Sequence, residues 1–312
     1  GNTSSASTSL ALTIDTAAPE APVITTTTDL TNDSTPDIAG TAEAGSTVTL
    51  FSGDTSLGTA TADGNGDFSI TSSQLADNDY TLTVKATDAA GNESSVSNEL
   101  SIQIDATAPS QPSITTTTSI TNIGIVTIAG FAEAGSAVEL FNGDTSLGTA
   151  TVESNGSFSI TTDELADDDY TLTVVATDEA GNPSEASSPL ALTIDTAKPD
   201  APVITTTIDL TNDNTPEIAG TAEAGSTVTL FSGDTSLGTD IADADGNFSI
   251  TSSQLADNDY TLTVTATDAA GNPSSASTAL ALTIDTTAPS TPSIKTAIAA
   301  TNVSTPTIEG TS

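Results

Sequence analysis

Ile104-Asp105-Ala106-Thr107-Ala108-Pro109 decides how the rest of the chain is read. It returns as Ile14-Asp15-Thr16-Ala17-Ala18-Pro19, as Ile194-Asp195-Thr196-Ala197-Lys198-Pro199 and as Ile284-Asp285-Thr286-Thr287-Ala288-Pro289, at a constant spacing of 90 residues. Each copy ends an apolar alternation, places one carboxylate, and then sets a proline that cannot donate to a ladder and stiffens the following residues. These stretches read as joints between modules. A period of 90 residues is too long for a helical solenoid repeat and suits a small all-β domain. The chain therefore divides into residues 1–14, the last strand of a preceding module; three whole modules at 15–104, 105–194 and 195–284; and residues 285–312, the start of a following one. Neither end remnant is expected to fold without a partner strand.

Outward from the joints, apolar residues alternate with period two, which predicts strands. In the first module strands are expected at 23–27, 36–42, 47–51, 57–62, 68–70 and 80–86, and over Leu100, Ile102 and Ile104. Residues 29–35 read as a polar loop. Glu43-Ala44-Gly45 and Asp88-Ala89-Ala90-Gly91-Asn92 read as turns, and Asp63-Gly64-Asn65-Gly66 carries the Asn-Gly chemistry of a hairpin. Leu75 stands five residues before Tyr80, which opens a long alternating strand, an arrangement similar to the tyrosine corner of immunoglobulin-like sandwiches. Seven strands in 90 residues predict an all-β fold of tandem seven-stranded immunoglobulin-like β-sandwiches placed end to end. Core and corner roles account for Tyr80, Tyr170 and Tyr260, the only tyrosines.

The chain carries 42 Asp and Glu against 3 basic residues, Lys85, Lys198 and Lys295, for a net charge of −39. Nothing could neutralise phosphates, so nucleic acid is excluded as a partner, and cations are favoured. There is no Cys, Met, Trp or His, which removes disulfides, thiolate or imidazole metal sites and the common nucleophile and base pairs. No apolar run is long enough for direct membrane insertion. Abundant Thr, Ser, Ala and Gly suit an extracellular setting.

Chain direction in such a sandwich puts the turns at Glu43 and Asp88 at the module's entrance, beside the linker. The second module then gathers Asp105, Glu133 and Asp178 there, with Asn182 nearby; the equivalent sets are Asp15, Glu43 and Asp88, and Asp195, Glu223 and Asp268. Converging carboxylates without a basic partner repel, and oxygen-only ligands suit Ca2+. Asp29, Asp33, Asp77 and Asp79, at the exit end, could complete the shell or hold a second ion. The alternative is that all these acids are solvated turn residues. Asp63 to Asp67 mimics the opening of a helix-flanked Ca2+ loop, but no helix and no bidentate Glu follow, so a hairpin turn is preferred. The threonine runs at 25–28 and 115–118 are too short for an ice- or sugar-facing array. Acid pairs such as Asp77 with Asp79, or the run at 167–169, lack an aromatic cleft, so no enzyme is expected.

Three motifs together carry a resemblance. Gly-Thr-Ala-Glu-Ala-Gly-Ser at 40–46 and 220–226, Ala-Thr-Asp-x-Ala-Gly-Asn at 86–92, 176–182 and 266–272, and Ile-Asp-x-x-x-Pro resemble bacterial immunoglobulin-like repeats of giant secreted adhesins and biofilm-associated proteins. The resemblance implies a bacterial cell-surface extender whose partners are neighbouring modules of the same chain and a distal adhesive domain, with Ca2+ at or near the junctions. The Asp, Glu and Asp sets are the positions that inherit this role. The second module departs from the pattern: Phe131 replaces Thr41, and Ile123-Gly124-Ile125-Val126 replaces Asp33-Ser34-Thr35-Pro36, so its exit loop is expected to lack a supplementary site. A ligand-binding module for glycan, ice or protein and a strand-exchanging fibre subunit are the competing functions.

Overall fold

In a computed structural model, residues 1, 3–295 and 303–311 are described. Among them every regular element is a strand, and none is a helix long and apolar enough to cross a membrane. The first module holds β1 (Val23–Ile24), β2 (Leu30–Thr31), β3 (Asp37–Thr41), β4 (Thr47–Ser52), β5 (Thr55–Thr61), β6 (Asp67–Thr71), β7 (Asn78–Thr87) and β8 (Leu100–Ile104). Two sheets form, β1-β3-β6 and β2-β8-β7-β4-β5, and both orders recur in the later modules. This is the expected sandwich, with its first strand split in two.

The split corrects the reading of residues 29–35 as a loop. β1 runs antiparallel to β3, whereas β2 has crossed to the other sheet and runs parallel to β8, with Thr31 opposite Ile104. The threonine run makes the crossing. Thr25 and Thr26 both donate their amides to the Ala39 carbonyl, and the Thr26 hydroxyl accepts the Ala39 amide at 2.8 Å, replacing the strand that has left. Thr116 and Thr206 accept from Ala129 and Ala219 in the same way.

Alternation sends Ile38, Val48, Leu50, Phe68, Ile70, Leu82, Val84, Ile102 and Ile104 into one core, each contributing roughly 1.5–3 kcal/mol on burial. Gly40 is required where β1 lies against β3, since a Cβ there would stand 2.2 Å from the Val23 carbonyl oxygen and 2.5 Å from the Phe68 ring. The tyrosine corner is present in all three modules: the hydroxyls of Tyr80, Tyr170 and Tyr260 donate to the carbonyls of Ala76, Ala166 and Ala256 at 3.0–3.1 Å. Residues 93–99 carry no strand. There Ser94 and Ser97 accept the Ala86 and Val84 amides, and Asn98 bonds both the amide and the carbonyl of Ile24, closing the edge of β1. Ser188 and Thr278 stand where the first module has Asn98.

Residues 3–22 form no regular structure, and Leu10, Leu12 and Ile14 are exposed. At the other end Ser293–Ile294 pair antiparallel with Gly310–Thr311 in the register of β1 with β3, and all four residues are exposed. By contact the chain falls into two compact units: residues 1–117 with 127–162 and 171–190, and residues 118–126 with 163–170 and 191–312. The division passes through the middle module and leaves each complete joint inside one unit.

Candidate functional site

Turn chemistry places the entrance residues. Asp178 closes the turn that leaves the strand Asp168–Thr177: its Oδ1 accepts the Asn182 amide at 2.8 Å and its Oδ2 accepts Asn182 Nδ2 at 2.8 Å. Gly181 supplies the φ of +94° that lets the turn close, a backbone region costly for a residue with a Cβ. Asp88 and Asp268 make the same pair of bonds with Asn92 and Asn272. The linker acid turns inward on its own chain, with Asp105 Oδ1 accepting the Thr107 amide at 3.2 Å; Asp15 and Asp195 accept from Ala17 and Ala197. Glu43, Glu133 and Glu223 sit in the turn after the third strand, where their carbonyls accept both the amide and the hydroxyl of Ser46, Ser136 and Ser226. Glu43 also lines a groove with the linker residues Glu20 and Ala21.

The expected disposition of turns at the entrance is therefore present, but the carboxylates are not gathered. Among the described residues no three acidic side chains lie close enough to hold a metal ion. In the sets Asp15, Glu43, Asp88, then Asp105, Glu133, Asp178, then Asp195, Glu223, Asp268, the linker acid and the turn acid each place an oxygen on the amides of their own turn.

What meets at the joint is a single peptide group. The Asp105 carbonyl oxygen accepts Asn182 Nδ2, from the following module, at 2.8 Å. The amide of Ala106, the other half of the same peptide, donates to Asp77 Oδ1, from the preceding module, at 2.9 Å, and the Thr107 hydroxyl donates to Asp77 Oδ2. In the second unit the pattern repeats: Asp195 O accepts Asn272 Nδ2 at 2.7 Å, and the Thr196 amide and hydroxyl donate to Asp167 Oδ1 at 3.0 and 2.8 Å. Asn182 and Asn272 are buried, at 7% and 5% exposure. A Cβ built on Gly181 would lie 3.7 Å from Asn32 Nδ2, and one on Gly271 would lie 3.8 Å from Asn122 Nδ2, so the exit loop of each preceding module reaches the following turn.

These bonds hold several carboxyls below the ordinary Asp value. For Asp77 the cause is the Thr107 hydroxyl and then the Ala106 amide; for Asp257 it is the hydroxyls of Thr287 and Thr286. Asp88 is lowered by the Asn92 side chain and amide, while at Asp268 burial, the largest single effect, pushes up and is outweighed by the bonds from Asn272. Asp63 is lowered by the amides of Asp67 and Asn65, the hairpin-turn role expected of it.

Asp33 does not reach the joint; its Oδ1 caps Thr35 in its own loop at 2.8 Å. At the second joint Asp167 grips the linker, accepting the amide and hydroxyl of Thr196. Asn182 appeared in the sequence only as a neighbour of the acids and is the central donor. Its signal was available, since Ala-Gly-Asn closes the same motif in every module.

Tandem sandwiches joined through a shared linker peptide define a multi-module immunoglobulin-like protein. The chain belongs to the bacterial Ig-like domain family, which it matches at residues 18–106, 107–196 and 204–286. It is 32% identical over 219 residues to Exoglucanase B of Cellulomonas fimi, an alignment covering 63% of this chain and 19% of that enzyme. The chain thus spans about a fifth of that relative's length. Among solved structures it is similar to the fibronectin(III)-like modules of Clostridium thermocellum CbhA, at 19% identity and TM-score 0.39, covering 55% of this chain and 92% of that one. A biofilm associated protein BSP domain is 17% identical with TM-score 0.25, covering 87% of this chain and 67% of that one.

Proposed function

We propose that these modules are a spacer: an extender segment of a bacterial surface protein that holds a distal adhesive domain away from the cell. The observation that carries this reading is the linker peptide bonded at its oxygen by one module and at its nitrogen by the other, because a joint held from both sides transmits orientation. The near-identity of the first and third modules supports a repeated spacer over a specialised tip, and a match within a chain named as an exoglucanase is compatible with modules that connect other domains. The modules themselves carry no catalytic role in this reading. Small-angle scattering tests it: a maximum dimension close to three modules end to end is expected, and a compact or broadly distributed particle would overturn the spacer.

Ca2+ at the joints is a separate part of the proposal. Binding would draw oxygens of Asp105, Glu133 and Asp178 into one oxygen-only shell of the kind that suits Ca2+. Calorimetric titration with Ca2+ decides it, since saturable heat at one ion or more per joint supports the ion and its absence removes Ca2+ while the spacer stands.

A second reading, recognition of a ligand by the middle module, is favoured by one feature. Phe131 is 53% exposed where its counterparts are Thr41 and Thr221. Retention of the chain on a glycan or protein array that is lost in Phe131→Thr would establish it.

A further inference from the structure

We infer that the turn at residues 178–182, with its counterpart at 268–272, is a docking surface for the exit end of a module of this same kind, and that direct hydrogen bonds suffice to fix the joint whether or not a cation is bound. This rests on the spacer reading and names the partner and residues behind it. The partner's chemistry can be read from the two joints. It offers a linker peptide whose carbonyl faces Asn182 or Asn272, an acid at the position of Asp77 or Asp167 that takes the amide of that peptide, and an asparagine at the position of Asn32 or Asn122 laid over the glycine of the turn.

The first module supplies an internal control. Its turn has the same shape, with Gly91 at a φ of +93°. Among the described residues a Cβ on Gly91 would meet nothing within 4 Å, and Asn92 Nδ2 reaches the Asp15 carbonyl at 3.2 Å. At the far end Asp257 takes the Thr286 amide at 2.9 Å, the same exit grip on the linker that Asp77 and Asp167 make. Each half is built independently, and the joint is their meeting on one peptide. A peptide plane bonded at both ends has lost rotation about the ψ of Asp105 and the φ of Ala106, the two torsions that set the direction of the next module.

The chain has no cysteine, so pairs of introduced cysteines can carry spin labels across either joint without background. Interlabel distance distributions would be recorded for the full chain in millimolar Ca2+ and again with excess chelator. Narrow distributions, equal in both, are expected. Asn182→Ala should raise the ratio of unlocked to locked joint about fivefold at the first joint alone, the factor that corresponds to one net hydrogen bond; Asn272→Ala should do so at the second alone, and Asn92→Ala at neither. Asp77→Ala, which acts from the preceding module, should reproduce the Asn182→Ala effect and separates loss of the lock from misfolding of the second module. Broadening on chelation of the unaltered chain, or unchanged width in both Asn182→Ala and Asp77→Ala, would overturn the inference. Broad distributions in the unaltered chain under both conditions would instead overturn the spacer reading beneath it.

Discussion

The turns at 88–92 and 178–182 share nearly one sequence and one shape, and differ in what covers them. Both acids accept the same amide and the same side chain of the asparagine four residues on, within 0.1 Å of each other. Yet Asn92 is only half-buried and Asn182 is buried, and the bond to the linker carbonyl is 3.2 Å at the first and 2.8 Å at the second, where the described residues of the module before it lie over the turn. The form of the surface is thus intrinsic to each module, set by Asp, Gly and Asn, and only its burial comes from the neighbour. A preformed surface loses little freedom when a partner lands on it, which keeps the cost of ordering each joint low.

The harshest way to break this comparison is to remove the cover. Gly40→Ala would drive a Cβ into the Val23 carbonyl and the Phe68 ring, and neither a strand backbone nor a buried ring can yield cheaply. Destabilisation of the first module by about 3 kcal/mol or more is expected. Amide exchange at Gly181 and Asn182 should then rise toward the rates at Gly91 and Asn92, while the second module stays folded. Unchanged exchange at 181 and 182 would show that the neighbour does not protect this turn.

Next in size is truncation of the asparagines themselves. Asn182→Ala leaves the Asp105 carbonyl and one Asp178 oxygen without their donor at a buried position, a loss of about 2–3 kcal/mol to the second module. Asn92→Ala removes the same groups at a wetter site and should cost about 1 kcal/mol. Denaturant unfolding followed by exchange at each module separates the two, and equal losses would mean that burial at the joint adds nothing.

Acid divides the grip rather than the turns. Asp77 and Asp257 are carboxyls held down by their bonds to the linker, so their contribution is complete above the ordinary Asp value near 3.9 and disappears as pH falls through the lower folded-state value. The amide half of the grip, from Asn182, does not titrate. The Ala106 and Thr286 amide resonances should therefore shift with midpoints below about 3.9, while the Asp105 carbonyl keeps its Asn182 donor through that transition. A midpoint at or above the ordinary value at Ala106 would show that Asp77 is not holding it.

The modular plan was legible because period, alternation and turn residues all agree across three copies. What escaped has a physical reason in each case. Leu30 and Thr31 form a strand of two residues inside a run of turn-forming polar side chains, and no alternation can show in so short a segment. The acids were legible as joint residues but not as to where their oxygens point, because charge follows from sequence and orientation follows from the turn that each acid closes. Asp105 and Asp178 each accept an amide two or four residues ahead, a pairing fixed by the turn and not by charge. Asn182 has no charge to suggest an electrostatic role, and its importance lies in reaching a carbonyl 77 residues away.

The finest test of the comparison sets Gly91→Ala beside Gly181→Ala. Both positions hold φ near +94°, where a Cβ costs about 1 kcal/mol or somewhat more whatever surrounds it. At Gly91 the added methyl meets open space, and at Gly181 it meets Asn32 Nδ2 at 3.7 Å, an ordinary contact distance. If the turn is preformed and the neighbour merely rests on it, the two substitutions should cost their modules the same within about 0.5 kcal/mol, the precision with which independent sites compare. A clearly larger loss at Gly181, abolished by Asn32→Ala, would mean that the exit loop presses on the turn and that the joint is shaped by the pair of modules together. The comparison would then have to be read the other way, with the uncovered turn of the first module as a relaxed form and the covered turns as the strained one.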